Sequence, residues 1–258
     1  MRVEAITSAQ NPKIKTLLGL QEKSRLRKET GLFVVEGRRE LEHCVNAGFE
    51  VDTVFYCPDI CGYVPDFPHI VDIPEELYRK IAYREGTEGI IAEVKAKAMS
   101  LEDIALSEEP LIVVLEGVEK PGNLGAVLRS ADAAGADAVL VCDPLTDLYN
   151  PNLIRASIGA VFTRQVVCCS SEDAIGWLKG KGIRIYTAQL QDSSWYYDTD
   201  MKSATAIAIG TEATGLTDIW REAADAHIKI PMLGELDSLN ASVSAAILLF
   251  EAVRQRNS

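Results

Sequence analysis

The sequence predicts an α/β protein, with a C-terminal domain built on a parallel sheet and a smaller N-terminal α/β domain. Three observations carry this. Leu111-Ile-Val-Val-Leu115, Ala138-Val-Leu-Val-Cys142 and Ala206-Ile-Ala-Ile209 are unbroken apolar runs, as expected of parallel strands covered on both faces. Helix-period segments alternate with them. A polar stretch without clear period, residues 96–109, ends at Pro110 and separates two halves. Domains are expected over 1–95 and 108–258, with 96–107 as linker.

In the first half, residues 6–28 read as one helix, carrying Ile14, Leu17, Leu18 and Leu20 among Lys and Arg, with Asn11-Pro12 as a start signal. Phe33-Val-Val35 is a short strand, and Gly37 turns the chain into a helix over 38–47. Thr53-Val-Phe-Tyr56 is the next strand. Residues 57–68 hold three prolines and Gly62 and read as loop. Ile70-Val71 is a strand, 74–81 a helix opened by Pro74, and Ile90–Val94 a strand.

In the second half, strand 111–116 leads into helix 123–134, whose apolar side includes Leu124, Val127, Leu128 and Ala131. Strand 138–142, helix 152–160, strand 164–167, helix 171–179 and strand 184–188 follow. Strands at 206–209 and 228–230 precede a closing helix over 240–255, with Val243, Ile247, Phe250 and Val253 on one side.

Length and composition narrow the function. A chain of 258 residues can bury one large or two modest cores. No apolar run approaches the roughly 20 residues of a membrane span. The start, Met-Arg-Val-Glu-Ala, lacks the apolar run of a secretory signal, so a cytoplasmic location is expected. The six cysteines lack paired C-x-x-C spacing, and His43, His69 and His227 are scattered. No metal site is therefore expected, and the thiols read as reduced and mostly buried. A net charge of −12 opposes nucleic-acid binding. Residues 1–40, however, hold nine Lys and Arg against five Glu, a local charge of +4. A basic arm on an acidic body fits RNA bound through one face. A solvated amphipathic helix accounts for 13–28 equally well.

Three distant segments carry chemistry. In the first, Gly117-Val-Glu-Lys-Pro-Gly-Asn-Leu-Gly125 lies between a strand and a helix, where free N–H groups and the helix dipole suit an anion. Arg129, six residues beyond Asn123, can face the same side. A dinucleotide loop would need G-x-G-x-x-G, and only Gly122-x-x-Gly125 is present, with Asp143 in slight support. A plain strand-to-helix turn with Arg129 in a surface ion pair is the structural alternative. In the second segment, Ala206–Leu216, a buried strand opens into a turn bordered by Gly210 and Gly215. Glu212 stands at the strand exit, to serve a ligand or to cap Thr214 or a following short helix. In the third, Ile230-Pro-Met-Leu-Gly-Glu-Leu-Asp-Ser-Leu-Asn240, a strand ends at Pro231 and Ser238 or Asn240 opens a long helix.

Together, in this order, these segments resemble the three motifs of the SpoU/TrmH family of RNA ribose 2'-O-methyltransferases, in the SPOUT superfamily. Ile6-Thr-Ser-Ala-Gln-Asn-Pro-Lys-Ile-Lys15 with Phe33-Val-Val-Glu-Gly37 also looks like the substrate-binding domain of many members. The resemblance implies a deep trefoil knot in the C-terminal domain and S-adenosylmethionine as cofactor. It implies a structured RNA substrate, ribosomal RNA favoured over transfer RNA by the extra domain, and a homodimer. The cofactor is expected against Thr187, Gly210, Ile230 and Leu239, with Ile230, Met232 and Leu239 as an apolar rim for adenine. Asn123, Arg129, Glu212, Ser238 and Asn240 are expected on the reaction side.

Arg129 matches the arginine that the family assigns to the reaction itself. A guanidinium with a pKa above about 12 is a poor default base. Gripping the phosphate beside the target ribose, or stabilising the alkoxide on the 2'-oxygen, is physically easier. Asp147–Ala160 resembles a family helix packed beside the first motif, so Arg155 and Ser157 bind RNA or support the site. Trp195-Tyr196-Tyr197 stacks on an exposed base or serves as core or dimer contact. Lys120 stands where many relatives have Asp or Asn. The rival reading is a non-catalytic RNA-binding or ribosome assembly protein on the same fold.

Overall fold

The computed structural model describes residues 2–83, 88–235 and 238–258. Its elements run β1 (Arg2–Ala5), α1 (Pro12–Glu22), α2 (Ser24–Thr30), β2 (Leu32–Glu36), α3 (Arg38–Asn46), β3 (Val51–Tyr56), α4 (Pro58–Cys61), β4 (His69–Asp72), α5 (Glu75–Ile81) and β5 (Ile90–Lys95). They continue through β6 (Leu111–Glu116), α6 (Pro121–Ala133), β7 (Ala138–Cys142), α7 (Pro151–Ser157), α8 (Ala160–Thr163), β8 (Gln165–Cys169), α9 (Ser171–Gly180) and β9 (Arg184–Ala188). β10 (Ser194–Trp195), β11 (Thr205–Ile209), α10 (Asp218–Ala223), β12 (Ala226–Lys229) and α11 (Ala241–Arg256) complete the chain. It divides into two compact units.

The first unit comprises the residues up to Ala98 together with Asp147–Thr163. Its five-stranded sheet has the order β1-β4-β3-β5-β2. β1, β4 and β3 run parallel, and β5 runs antiparallel to both β3 and β2. The helix expected over 6–28 is two helices. Asn11 accepts from Lys13 N at 2.9 Å and Pro12 takes the first helical position, so α1 starts there. The extended backbone of Lys23 (φ −111°, ψ 105°) ends it. β1 escaped sequence reading because it is short and its one branched apolar residue, Val3, is exposed.

Segment 147–160, expected beside the first motif, groups with this first unit as part of Asp147–Thr163. Tyr149 stacks on Phe33 with centroids 4.2 Å apart, and Phe162 lies 5.9 Å from the same ring. Asp147 pairs with buried Arg27 at 2.6 Å. The helix expected over 152–160 breaks at Ile158, which adopts a left-handed conformation (φ 54°). Ser157 is buried, its hydroxyl donating to Ile154 O at 3.0 Å. Much of the basic arm is already neutralised: Arg27 by Asp147, Lys13 by Glu4, Arg25 by Glu29, Arg38 by Glu42 and Arg39 by Glu40. Lys15, Lys23 and Lys28 are exposed and have no acid partner among the described residues.

The second unit, Met99–Thr146 with Arg164–Ser258, holds a seven-stranded, wholly parallel sheet of order β10-β12-β9-β11-β6-β7-β8. Every residue of β6, β7 and β11 is buried, which explains their unbroken apolar sequences. α9 and α10 bring Trp177, Leu178 and Trp220 against Ile112, Val114, Leu140 and Ala206. α11 packs on α6 and β11.

The face of α11 that packs inward is not the side carrying Val243, Ile247, Phe250 and Val253. Ala245, Leu248, Leu249 and Ala252 are buried, whereas Val243 and Phe250 are nearly half exposed. Of the six cysteines, all without disulfides, Cys44, Cys57 and Cys142 are buried and Cys168 is exposed. Because the strands are parallel, the segments after β6, β9, β11 and β12 all leave one edge of the sheet, where open α/β sheets bind ligands.

Candidate active site

At that edge lies a cavity of about 340 Å³. Gly210, Glu212, Ile230, Met232, Ser238 and Leu239 line it, so the second and third motifs meet there. Leu236 and Asp237 of the third motif lie outside the described residues.

The turn after β11 is held by its own backbone. Thr211 and Gly215 exchange N–H···O bonds of 3.2 and 3.0 Å, and Thr214 N donates to Thr211 Oγ1 at 3.0 Å. Gly215 takes a left-handed φ of 69°. A Cβ on Gly210 would come within 2.1 Å of the Gly215 carbonyl carbon, so only glycine fits there. The far end of the turn is tied to the sheet. Buried Glu116, last residue of β6, accepts from Thr217 N at 2.8 Å and from Thr217 Oγ1 at 2.5 Å.

Glu212 is the hub of the polar groups. Lys120 Nζ lies 3.0 Å from its Oε2, while Asn123 Nδ2 and Asn240 Nδ2 donate to Oε1 at 3.1 and 2.5 Å. Asn240 Nδ2 also lies 3.2 Å from Asn123 Oδ1. Hydrogen bonds from Lys120 and then Asn123 hold the Glu212 carboxyl below the usual carboxylate range. Asn240 caps α11 as well, its Oδ1 accepting from Ser242 N at 3.0 Å. Of the two residues expected to open the closing helix, Ser238 and Asn240, it is Asn240 that caps it while also bonding Glu212, and Thr214 is bonded by Thr211 rather than by Glu212.

Four expected residues are not part of the cavity lining: Asn123 and Asn240 reach it through Glu212, and Thr187 and Arg129 make no such link among the described residues. Thr187 is wholly buried, with Oγ1 2.6 Å from His227 Nδ1, while Ala188 to Gln191 directly after it do line the cavity. Arg129 is exposed on α6 and makes no ion pair among the described residues.

Sequence reading missed Gln189, Arg221 and Lys229, which also line the cavity. Gln189 Oε1 and Arg221 Nε are buried without a hydrogen-bond partner. The Arg221 guanidinium is loosely held by Asp218 at 3.8 Å. The strand-exit rule would have found Gln189. Arg221 sits on α10, a helix too short to show a period.

Comparison with known proteins bears on this geometry. The SpoU rRNA Methylase family matches residues 110–250. The chain belongs to that family. The MRM3-like substrate binding domain matches residues 11–92. Among individual relatives of this SpoU methylase is the 23S rRNA (uridine(2479)-2'-O)-methyltransferase of Streptomyces viridochromogenes, 31% identical over 93% of this chain and 88% of that one. A crystal structure of an RNA 2'-O ribose methyltransferase superposes with a TM-score of 0.85 at 38% identity, covering 98% of this chain and 100% of that one. The AdoMet-bound rRNA methyltransferase of Sinorhizobium meliloti gives a TM-score of 0.89 at 29% identity, covering 98% of each chain. The parallel-sheet α/β architecture is thus that of the SPOUT methyltransferases.

Proposed function

We propose that the Glu212-centred site transfers a methyl group to a ribose 2'-hydroxyl of ribosomal RNA. The protein is an S-adenosylmethionine-dependent RNA 2'-O-methyltransferase. The observation that carries this is the meeting of the three motifs: Asn123, Glu212 and Asn240 bond directly to one another, and Glu212 lines the cavity.

The residues present fit the cofactor. Ile230, Met232 and Leu239 offer an apolar rim for a flat base, and Gly210 lets backbone form the wall. Gln189 Oε1 and Arg221 Nε are buried polar atoms still lacking partners. Arg221 suits the amino-acid carboxylate, and ionised Glu212 suits the cationic sulfur. S-adenosylmethionine supplies an activated methyl group there. The chain's own residues then position the acceptor. Ser238 and Asn240 line the ribose side, and Arg129 grips the neighbouring phosphate and steadies negative charge on the 2'-oxygen. Thr187 shapes the wall from behind through Ala188.

The first unit binds the RNA, in keeping with its match to a substrate binding domain. Lys15, Lys23 and Lys28, exposed and without an acid partner among the described residues, are cations available for phosphates. Two copies associate through α11, whose Val243 and Phe250 leave apolar surface uncovered. Trefoil threading of the second unit belongs to the same reading, as does a cytoplasmic site of action on ribosomal RNA. No helix of the described residues is long and apolar enough to cross a membrane.

The test is twofold. Calorimetry with S-adenosylhomocysteine should show binding, and ribose methylation mapped across rRNA should lose a site when the gene is deleted. Arg129→Ala should leave that calorimetric affinity unchanged while turnover on rRNA from the deletion strain falls by about 100-fold or more. Failure to bind S-adenosylhomocysteine at millimolar concentration would favour a non-catalytic RNA-binding protein.

A further inference from the structure

Beside the cavity the second unit exposes a pair of aromatic rings. Trp195 is 40% and Tyr197 47% exposed. Their rings lie 6.4 Å apart, tilted by only 21°, and Tyr196 braces Tyr197 edge-on at 5.1 Å. Neither exposed ring contributes to the buried core. Lys229 Nζ sits 4.8 Å from the centroid of Trp195. Trp195 and Lys229 are direct partners in the β10–β12 ladder, and Lys229 also lines the cavity. No acid neutralises this lysine among the described residues. Leu190, 51% exposed, and Gln191 also line the cavity.

We propose that Trp195, Tyr197 and Lys229 form a stacking platform for one unpaired base of the RNA, adjoining the nucleotide whose ribose enters the cavity. The inference rests on the methyltransferase reading and adds a base contact to it. Two neighbouring aromatic faces and an adjoining cation match the two parts of a nucleotide, a π-face and a phosphate. Bases in an A-form duplex are stacked and inaccessible, so the platform selects a loop, bulge or unstacked end. Stacking tolerates any base, so it fixes where the ribose sits without choosing the sequence.

The rings also provide the assay. Trp177 and Trp220 are buried, so iodide quenching of tryptophan fluorescence reports chiefly on Trp195. A single-stranded uridine nonamer should shield this emission from iodide, and a nonamer of abasic ribose-phosphate should not. Trp195→Ala should bind the uridine nonamer about 10- to 100-fold more weakly, whereas Trp195→Phe should retain most of the affinity. All three proteins should bind S-adenosylhomocysteine alike and sediment alike. The platform is overturned if the wild type fails to bind the nonamer at millimolar concentration, if the abasic chain shields equally, or if Trp195→Ala binds unchanged. It is also overturned if that variant turns a dimer into a monomer, which makes the rings a subunit contact. Binding of S-adenosylhomocysteine in any of those cases leaves the methyltransferase reading standing.

Discussion

Asn240 Nδ2 lies 2.5 Å from Oε1 of Glu212, and this contact ties the start of α11 to the exit of β11. The oxygen of the same amide, Oδ1, caps the helix by accepting from Ser242 N. One side chain therefore sets both where α11 begins and how the carboxylate is aimed. Asn240→Asp would place a second negative charge against Glu212 and disrupt both. We expect methyl transfer to fall about 100-fold in Asn240→Asp and about tenfold in Asn240→Ser, in keeping with hydrogen bonds to a charged group worth roughly 1.5–3 kcal/mol. Radiolabel transfer to rRNA from a deletion strain measures this. Equal rates in wild type and Asn240→Asp would remove Asn240 from the site.

Arg221 is expected to discriminate between cofactor fragments. Arg221→Gln should weaken S-adenosylhomocysteine by about tenfold, as for one lost charged contact, and leave 5'-methylthioadenosine, which lacks the amino-acid tail, unaffected. Parallel titration calorimetry decides it. Equal weakening of both ligands would show that Arg221 supports the cavity without touching the carboxylate.

Gly210→Ala should abolish binding of S-adenosylhomocysteine. The added methyl would meet Gly215 and Leu216 backbone at 2.1 to 2.3 Å, so the turn must open. β11 remains anchored between β9 and β6, so the fold should survive with its far-ultraviolet circular dichroism unchanged. Retained affinity would mean the turn is softer than its hydrogen bonds imply.

A separate expectation concerns Glu93 in the first unit. It is buried on β5, its Oε1 has no hydrogen-bond partner, and burial, with Asp52 adding repulsion, pushes its carboxyl up to about 7, Lys13 opposing. The folded state thus holds a proton that the unfolded chain releases near pH 4.5. Stability should fall as pH rises from about 4.5 to 7 and then level off, by about 1–3 kcal/mol from this group. Glu93→Gln should remove that part of the slope and raise the melting temperature more at pH 8 than at pH 5. A wild-type and variant pair with parallel profiles would place Glu93 in contact with water.

Legibility in the sequence followed physical cause. The strands of the second unit are buried on both faces, so their apolar runs announced them, and glycine turns beside them located the second and third motifs. Strand position placed Thr187 at the right sheet edge but could not show that His227 engages its hydroxyl, leaving Ala188 to Gln191 as the residues that line the cavity. The closing helix was legible but its inward face was not: Val243 and Phe250 share a stripe as regular as the inward one formed by Ala245, Leu248 and Ala252. Periodicity gave no sign that segment 147–163 belongs to the first unit, because its partners there, Phe33 and Arg27, lie more than a hundred residues earlier. Periodicity is local, and such pairings are not.

The backbone contact between Gly210 and Gly215 bears on redesign of the enzyme. That side of the cavity has no side chain to trim, so room for a bulkier alkyl donor cannot be made there. Enlargement has to come from side chains outside the turn, such as Met232 or Leu239, which can be shortened without opening it.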